Sequence, residues 1–276
     1  PVQPPQPAPA STDVFVYRMD GPERGRIINV TNRVGYDNQP AWDGPAIMWT
    51  SQRDGQTDIY RGDVERSSAG RVTETPESEY SAALTPDGSA ITVVRVERDS
   101  TQRLWRFPKD GGAPNVVLRD IKPVGYFAWL DSTTLALFVL GSPNTLQIAD
   151  TRTGLGQVVA TNIGRSVQRV PGSRRASFTQ RLGGRTLLET VDAAPRSDGS
   201  FAVDTIGTLP DSAEYVGWKS ATQLYTAAGS RLLELRLPSR EWTVVADLTR
   251  AGIRRISRLA LSADGAWLAF VAEEPR

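Results

Sequence analysis

Short apolar runs recur along this chain at a nearly constant interval, and that repetition limits its fold more than any other feature. The clearest copy is Thr57-Asp58-Ile59-Tyr60. Runs of the same form are Thr12-Asp13-Val14-Phe15, Gln102-Arg103-Leu104-Trp105, Asn144-Thr145-Leu146-Gln147, Arg185-Thr186-Leu187-Leu188 and Ser230-Arg231-Leu232-Leu233. Their third residues lie 45, 45, 42, 41 and 45 positions apart. A second series, anchored on Trp42, Leu84, Trp129, Val170, Trp218 and Leu261, is spaced 42, 45, 41, 48 and 43. Anchors lead into turns such as Thr85-Pro86-Asp87-Gly88 and Ser262-Ala263-Asp264-Gly265, where Gly admits the positive φ of a tight reversal and Asp bonds nearby backbone. Residues 90–94, 134–139 and 267–271 then follow as apolar, β-branched strands.

Two series of six copies, with about four short strands in each repeat of about 44 residues, predict an all-β chain folded as a six-bladed β-propeller. A two-sheet sandwich is the main alternative and does not explain the matching sixes. Helix signals are confined to residues 248–256. Residues 13–19 read as the last strand of a unit, whereas the chain ends after a third strand at Ala272. The N-terminal strand is therefore expected to join the C-terminal blade as its outer strand and close the ring, which satisfies edge amides.

Residues 1–10, PVQPPQPAPA, contain five prolines and no charge, so they read as a flexible, extended tether ahead of a single domain over 11–276. Such a tether, in a chain that opens on proline, is expected to follow a removed signal peptide. The chain has no Cys and no His, which excludes a disulfide framework, a His-based catalytic triad and a His-ligated metal. A formal net charge of +1 argues against a nucleic-acid protein. No stretch approaches the length of about 18 apolar residues that a membrane-spanning helix needs.

The first repeat carries a family resemblance. Gln39-Pro40-Ala41-Trp42, Ile47 to Asp54-Gly55, and Thr57-Asp58-Ile59-Tyr60 together resemble the WD-like repeat of TolB-type six-bladed propellers, whose unit reads roughly P-x-W-S-P-D-G, an apolar strand, S-x-R-D-G and D-I-Y. The turns at 85–88 and 262–265 match the same pattern, whereas the third to fifth repeats are degenerate. The resemblance covers about residues 11–274. It implies a periplasmic or extracellular setting and binding of proteins or ligands rather than one shared reaction.

In propellers of this type a loop before the second strand of each blade opens toward the central channel. Counting back from the anchors places Tyr36, Asp37, Asn38 and Gln39 there in the first repeat, and Glu79, Tyr80 and Ser81 in the second. Tyr126, Ser166 with Val167, Glu214 with Tyr215, and Ser257 with Arg258 follow in the others. Four of the seven tyrosines fall in this one place. A tyrosine offers a rigid apolar face and a polar tip, which suits a sugar, a peptide or a protein, although packing between blades is the competing reading. The candidate binding residues are Tyr36, Asn38, Gln39, Glu79, Tyr80, Tyr126, Glu214, Tyr215 and Arg258.

Trp42, Trp129 and Trp218 read as inter-blade core. Arg53-Asp54-Gly55 reads as a turn rather than a calcium site, because no dense ladder of oxygen ligands surrounds it. The arginines at 165, 169, 174 and 175, and at 250, 254, 255 and 258, read as solvated faces or as a surface for an anionic partner. Asn29-Val30-Thr31 matches a glycosylation triplet that arises often by chance.

The function expected is a non-catalytic, exported interaction module. It holds a protein, peptide or glycan of the cell envelope at the channel mouth, as a monomer, without cofactor or metal and without spanning the membrane. The alternative is a glycoside hydrolase or lyase using Asp37, Glu79 and Glu214 at the same opening, since carboxylate pairs cleave glycosides without His. A structural subunit of an envelope assembly is a third reading, marked by a large exposed apolar patch.

Overall fold

A computed structural model describes residues 11–66 and 68–273. The expected tether at 1–10 lies outside the described residues. The described residues form 24 strands in six antiparallel four-stranded sheets.

The chain starts with β1 (Thr12–Arg18) and β2 (Ile27–Asn29). Blade one is β3 (Asp37–Asp43), β4 (Ala46–Arg53), β5 (Gln56–Asp63) and β6 (Ala69–Arg71). Blade two is β7 (Ser78–Leu84), β8 (Ala90–Val96), β9 (Gln102–Pro108) and β10 (Asn115–Val116). Blade three is β11 (Val124–Trp129), β12 (Thr134–Val139), β13 (Thr145–Asp150) and β14 (Leu155–Thr161). Blade four is β15 (Ile163–Arg169), β16 (Arg175–Leu182), β17 (Arg185–Asp192) and β18 (Val203–Thr208). Blade five is β19 (Val216–Ser220), β20 (Gln223–Ala228), β21 (Arg231–Arg236) and β22 (Thr243–Asp247). After a 3-10 turn at Thr249–Ala251 come β23 (Arg254–Leu261) and β24 (Trp267–Glu273).

Blade six has the order β2-β1-β24-β23. The N-terminus does close the ring, but with two strands. β1 is the third strand of this blade, paired with β24 along its whole length from Thr12↔Glu273 to Arg18↔Trp267, and β2 is the outermost. The sequence reading placed β1 at the outer edge. Its burial shows why it is interior: Val14 and Val16 are fully enclosed. Asp13, buried at the start of β1, accepts hydrogen bonds from Asn29 Nδ2 (2.8 Å), Thr31 Oγ1 (2.6 Å) and the Arg33 amide (3.3 Å). Asn29 and Thr31 are thus committed to holding this closure. Asp58 occupies the equivalent place in β5 and accepts from Arg71 at 2.9 Å.

The core lies between sheets, in apolar clusters that join neighbouring blades. Second strands are buried on both faces: every residue of β12 is enclosed, as is most of β4 and β8. Asp54 and Gly55, both with positive φ, form the two-residue reversal between β4 and β5, the backbone that a primed hairpin turn requires.

Blade four departs from the sequence register. The amide of Val170 bonds the carbonyl of Arg175, as Leu130 bonds Thr134 and Ser262 bonds Trp267 in their own blades. The counterpart of Trp129 and Leu261 is therefore Arg169, not Val170. In the other series the enclosed residue is Leu188 rather than Leu187.

Candidate functional site: the central channel

The first strand of each blade, β3, β7, β11, β15, β19 and β23, lines the axis, and together they enclose a cavity of about 470 Å³. The candidate residues lie on these strands or immediately before them, not in a loop ahead of the second strand. Several of the strands carry bulges, at Asn38/Ala41, Tyr80/Ala83 and Ser257/Ala260. Within them Gln39, Ser81 and Arg258 adopt left-handed φ of 54°, 55° and 54°. The bulges shift the levels at which side chains reach the axis, yet the hydroxyls of Tyr80, Tyr126 and Tyr215 and the Arg258 guanidinium all act electrostatically on that of Tyr36, so the four tyrosines converge on one region. Tyr126, Tyr215 and Arg258 line the cavity there.

Arg258 is the centre of this level. Its Nη2 donates to the Tyr126 hydroxyl at 2.8 Å, from blade six to blade three on the opposite side of the ring. The guanidinium carbon sits 4.7 Å from the Tyr126 ring centroid and 4.4 Å from that of Tyr215, within range for attraction to both π faces. Arg165 of blade four has Tyr215 as a further hydrogen-bond partner. Burial pushes the Tyr215 hydroxyl up to about 12, against the opposing pull of Arg258, and raises that of Tyr36 further. These phenols are neutral donors at ordinary pH. The group forms a layer that bridges the channel.

The cavity runs from this layer toward the far ends of the inner strands. Ala41, Ala83, Ala128, Ser166, Gly217 and Ala260 form much of its wall. Gly217 leaves room that a side chain would take from Leu261 and Leu259 of blade six. At the far end stand Trp42, Trp129 and Trp218, on alternate blades, with Leu84, Arg169 and Leu261 between them. Ala263, in the exposed turn beyond β23, also lines the cavity. The tryptophans and the tyrosine–arginine layer thus stand at opposite ends of the cavity.

Each tryptophan is also a clasp between blades. Trp42 Nε1 donates to the Ala260 carbonyl (3.0 Å), Trp129 Nε1 to Thr92 Oγ1 (3.2 Å) and Trp218 Nε1 to Ser177 Oγ (2.7 Å). The partner belongs to the preceding blade in every case.

Of the nine candidates, Gln39, Tyr126, Tyr215 and Arg258 line the cavity. Gln39 Oε1 accepts from the Ser81 amide (3.1 Å) and Thr50 Oγ1 (2.7 Å), tying blade one to blade two. The remaining five do not line the cavity. Tyr80 is wedged between blades, with its hydroxyl bonded to Thr57 Oγ1 at 3.2 Å. Asn38 is buried and caps the Gln39 amide. Tyr36, beside β1, precedes β3.

The carboxylates expected at the opening also lie in the walls. Asp37 is enclosed and paired with Arg33 at 3.0 Å. Glu79 is enclosed beside Thr75 and 3.5 Å from Arg95, and burial pushes it up to about 7. Glu214 lies 3.9 Å from Arg181. Among the described residues no group of three or more carboxylates is placed to hold a metal ion.

Sequence reasoning missed Arg165 and Arg169 as cavity residues, because their cluster read as a solvated face. That reading holds for their neighbours: Arg174 and Arg175 pair with Asp131 and Asp204, and Arg255 pairs with Glu273.

Comparison with known proteins separates fold from function. No protein-family model matches the chain, and no curated protein does. Among solved structures, a protein of Agrobacterium tumefaciens assigned as TolB superposes with a TM-score of 0.73 at 14% identity, over 97% of this chain and 99% of that one. TolB of Acinetobacter baumannii gives 0.59 at 12% identity over 96% of this chain, which spans 64% of that protein. A gluconolactonase of Xanthomonas campestris gives 0.67 at 11% identity over 99% of both chains. The likeness is one of fold. No helix among the described residues is long and apolar enough to cross a membrane.

Proposed function

We propose that this chain is a non-catalytic, exported binding module that holds a protein or peptide in its central channel. The observation that carries this reading is the cavity itself: about 470 Å³, bordered at one end by tryptophans and bridged at the other by Arg258 and Tyr126, beside Tyr215. Its size falls within the range of ligand sites, and its mix of apolar wall and a few convergent polar groups is typical of them. Aromatic and arginine side chains in a recess are the residue types that dominate binding energy at interfaces.

The resemblance to TolB-type propellers supports a place in the periplasm or outside the cell, and the proline-rich segment at 1–10 fits a tether there. We take the chain as a monomer with a single domain over 11–276. A glycan remains the third candidate ligand. The hydrolase or lyase reading loses its proposed carboxylates, because Asp37, Glu79 and Glu214 lie outside the cavity lining. The gluconolactonase neighbour shares the fold with this chain.

The test is capture from envelope extract on the immobilised protein, run beside an Ala128→Trp variant that fills the channel, with a glycan array in parallel. The reading expects a partner held by the native protein and released by the filled variant, with matching circular dichroism melts. Equal capture by both would place binding outside the channel.

A further inference from the structure

The channel is bridged at one end and the charged side chains of its lining are all cationic, and together these facts point to what enters it. Arg258, Arg165 and Arg169 line the cavity, and no Asp or Glu does. Among the described residues no carboxylate lies within salt-bridge distance of these three arginines, although Glu214 acts on Arg165 from farther off, whereas Arg174, Arg175 and Arg255 from the same two stretches of sequence are paired. Arg169 donates from Nε to the Ser173 carbonyl at 2.8 Å. Arg258 gives one donor to Tyr126. A guanidinium has five donors in a fixed fork, so several on Arg258 have no protein acceptor in the channel. The two phenol faces fix its plane, which prepares it for a planar, two-oxygen anion.

The bridged end also bears on the topology of the ligand. Arg258 and Tyr126 meet across the axis from opposite blades, so their bridge obstructs a chain passing through and favours a chain end. An N-terminal ammonium would face Arg258 and Arg165 there; a C-terminal carboxylate complements them. The wall chooses between ligand classes. Ala41, Ala83, Ala128, Gly217 and Ala260 present no side-chain hydrogen-bonding group, the indole N–H groups of Trp42, Trp129 and Trp218 are bonded within the protein, and Gln39 and Ser166 accept from protein donors, which leaves Ser81 and Gln168 as the other polar side chains of the wall. A sugar would leave most of its hydroxyls unpaired against such a wall, which is costly, whereas apolar side chains would not.

We propose that the channel captures the free C-terminus of an extended peptide, with its carboxylate on Arg258 and Arg165 and its last side chains against the alanine and tryptophan wall. This rests on the binding role proposed above and names the ligand of the same site.

The experiment uses the whole chain and two pools of N-acetylated tetrapeptides. One pool ends in the free acid and the other in the amide, and retention is read by mass spectrometry. A third pool, amidated but carrying an internal Asp, reports whether any carboxylate suffices, and oligogalacturonate reports a sugar acid. The proposal expects retention of the free-acid pool at least about tenfold above both amidated pools and oligogalacturonate, the scale of a lost charge-assisted hydrogen bond. Arg258→Gln is expected to abolish that preference, and Arg152→Gln, at an exposed pair with Asp150, to leave it intact. If Arg258→Gln melts early, Arg165→Gln replaces it, and the acid-to-amide ratio on the native protein stands regardless. Equal retention of acid and amide, equal retention of the Asp pool, preferred oligogalacturonate, or no retention at all would overturn the proposal. Channel-dependent capture from envelope extract alongside any of these would leave the binding role standing and remove only the C-terminal specificity.

Discussion

Arg258 on blade six and Tyr126 on blade three meet across the axis of the ring, nitrogen to phenol oxygen at 2.8 Å, although 132 residues separate them in sequence. The Tyr215 ring centroid lies 4.4 Å from the same guanidinium carbon. The Arg258–Tyr126 contact bridges the channel and ties opposite blades to a common centre. A double-mutant cycle with Tyr126→Phe and Arg258→Gln should give a coupling of about 1 kcal/mol, the scale of a hydrogen bond to a charged group in a partly wet site. Strictly additive losses in urea unfolding would contradict the contact.

The tryptophan clasps predict a different effect. Trp218 is buried, and its indole N–H reaches Ser177 in the preceding blade at 2.7 Å. Trp218→Phe keeps most of the apolar surface but leaves that hydroxyl without its donor, and should cost about 1–3 kcal/mol. A stability change within about 0.5 kcal/mol, the range of an ordinary surface substitution, would mean that the clasp contributes nothing.

Closure by two N-terminal strands makes β1 an interior element. Deleting residues 11–20 removes β1, exposes the edge of β24 and leaves β2 without a neighbour. The deleted chain should lose its cooperative thermal transition or melt far below the native protein. An unchanged melt would contradict the closure.

Glu79 predicts the sign of a pH effect. Burial raises its pKa to about 7, outweighing Thr75, Thr73 and Arg95, and Asp58 adds to the rise. Glu77 also faces Arg95 from the same strand approach. Because the folded pKa exceeds the ordinary value of 4.5, the folded state holds a proton that the unfolded chain has released. This contribution is fully present below the unfolded value and is lost as pH rises through about 7. The stability of Glu79→Gln relative to the native protein should therefore increase between about pH 5 and pH 8. A difference that stays flat across that interval would contradict the assignment.

The blades were legible in the sequence because each needs the same alternation of buried strand and tight turn, and Trp42, Trp129 and Trp218 repeat for the same reason. Blade four slipped by one residue because Arg169 stands where others carry Trp or Leu, and only the Val170–Arg175 backbone bond fixes its register. The site was less legible. Counting along the chain brought Tyr36, Tyr80, Tyr126 and Tyr215 to one loop. The four hydroxyls do stay within electrostatic reach around Tyr36 and Arg258, but the bulges at Gln39, Ser81 and Arg258 decide which of these side chains line the cavity, and no residue type announces a bulge. Arg165 and Arg169 were hidden for another reason: alternation along a strand does not say which face of an inner strand meets the axis.

The most direct test of the channel as the binding site is hydrogen exchange on the native protein, with and without the partner retained from envelope extract. The account predicts slowed exchange at the inner strands around 126–129, 215–218 and 258–261, with the outer strands unchanged. Slowing confined to the outer strands, or none at all, would contradict it.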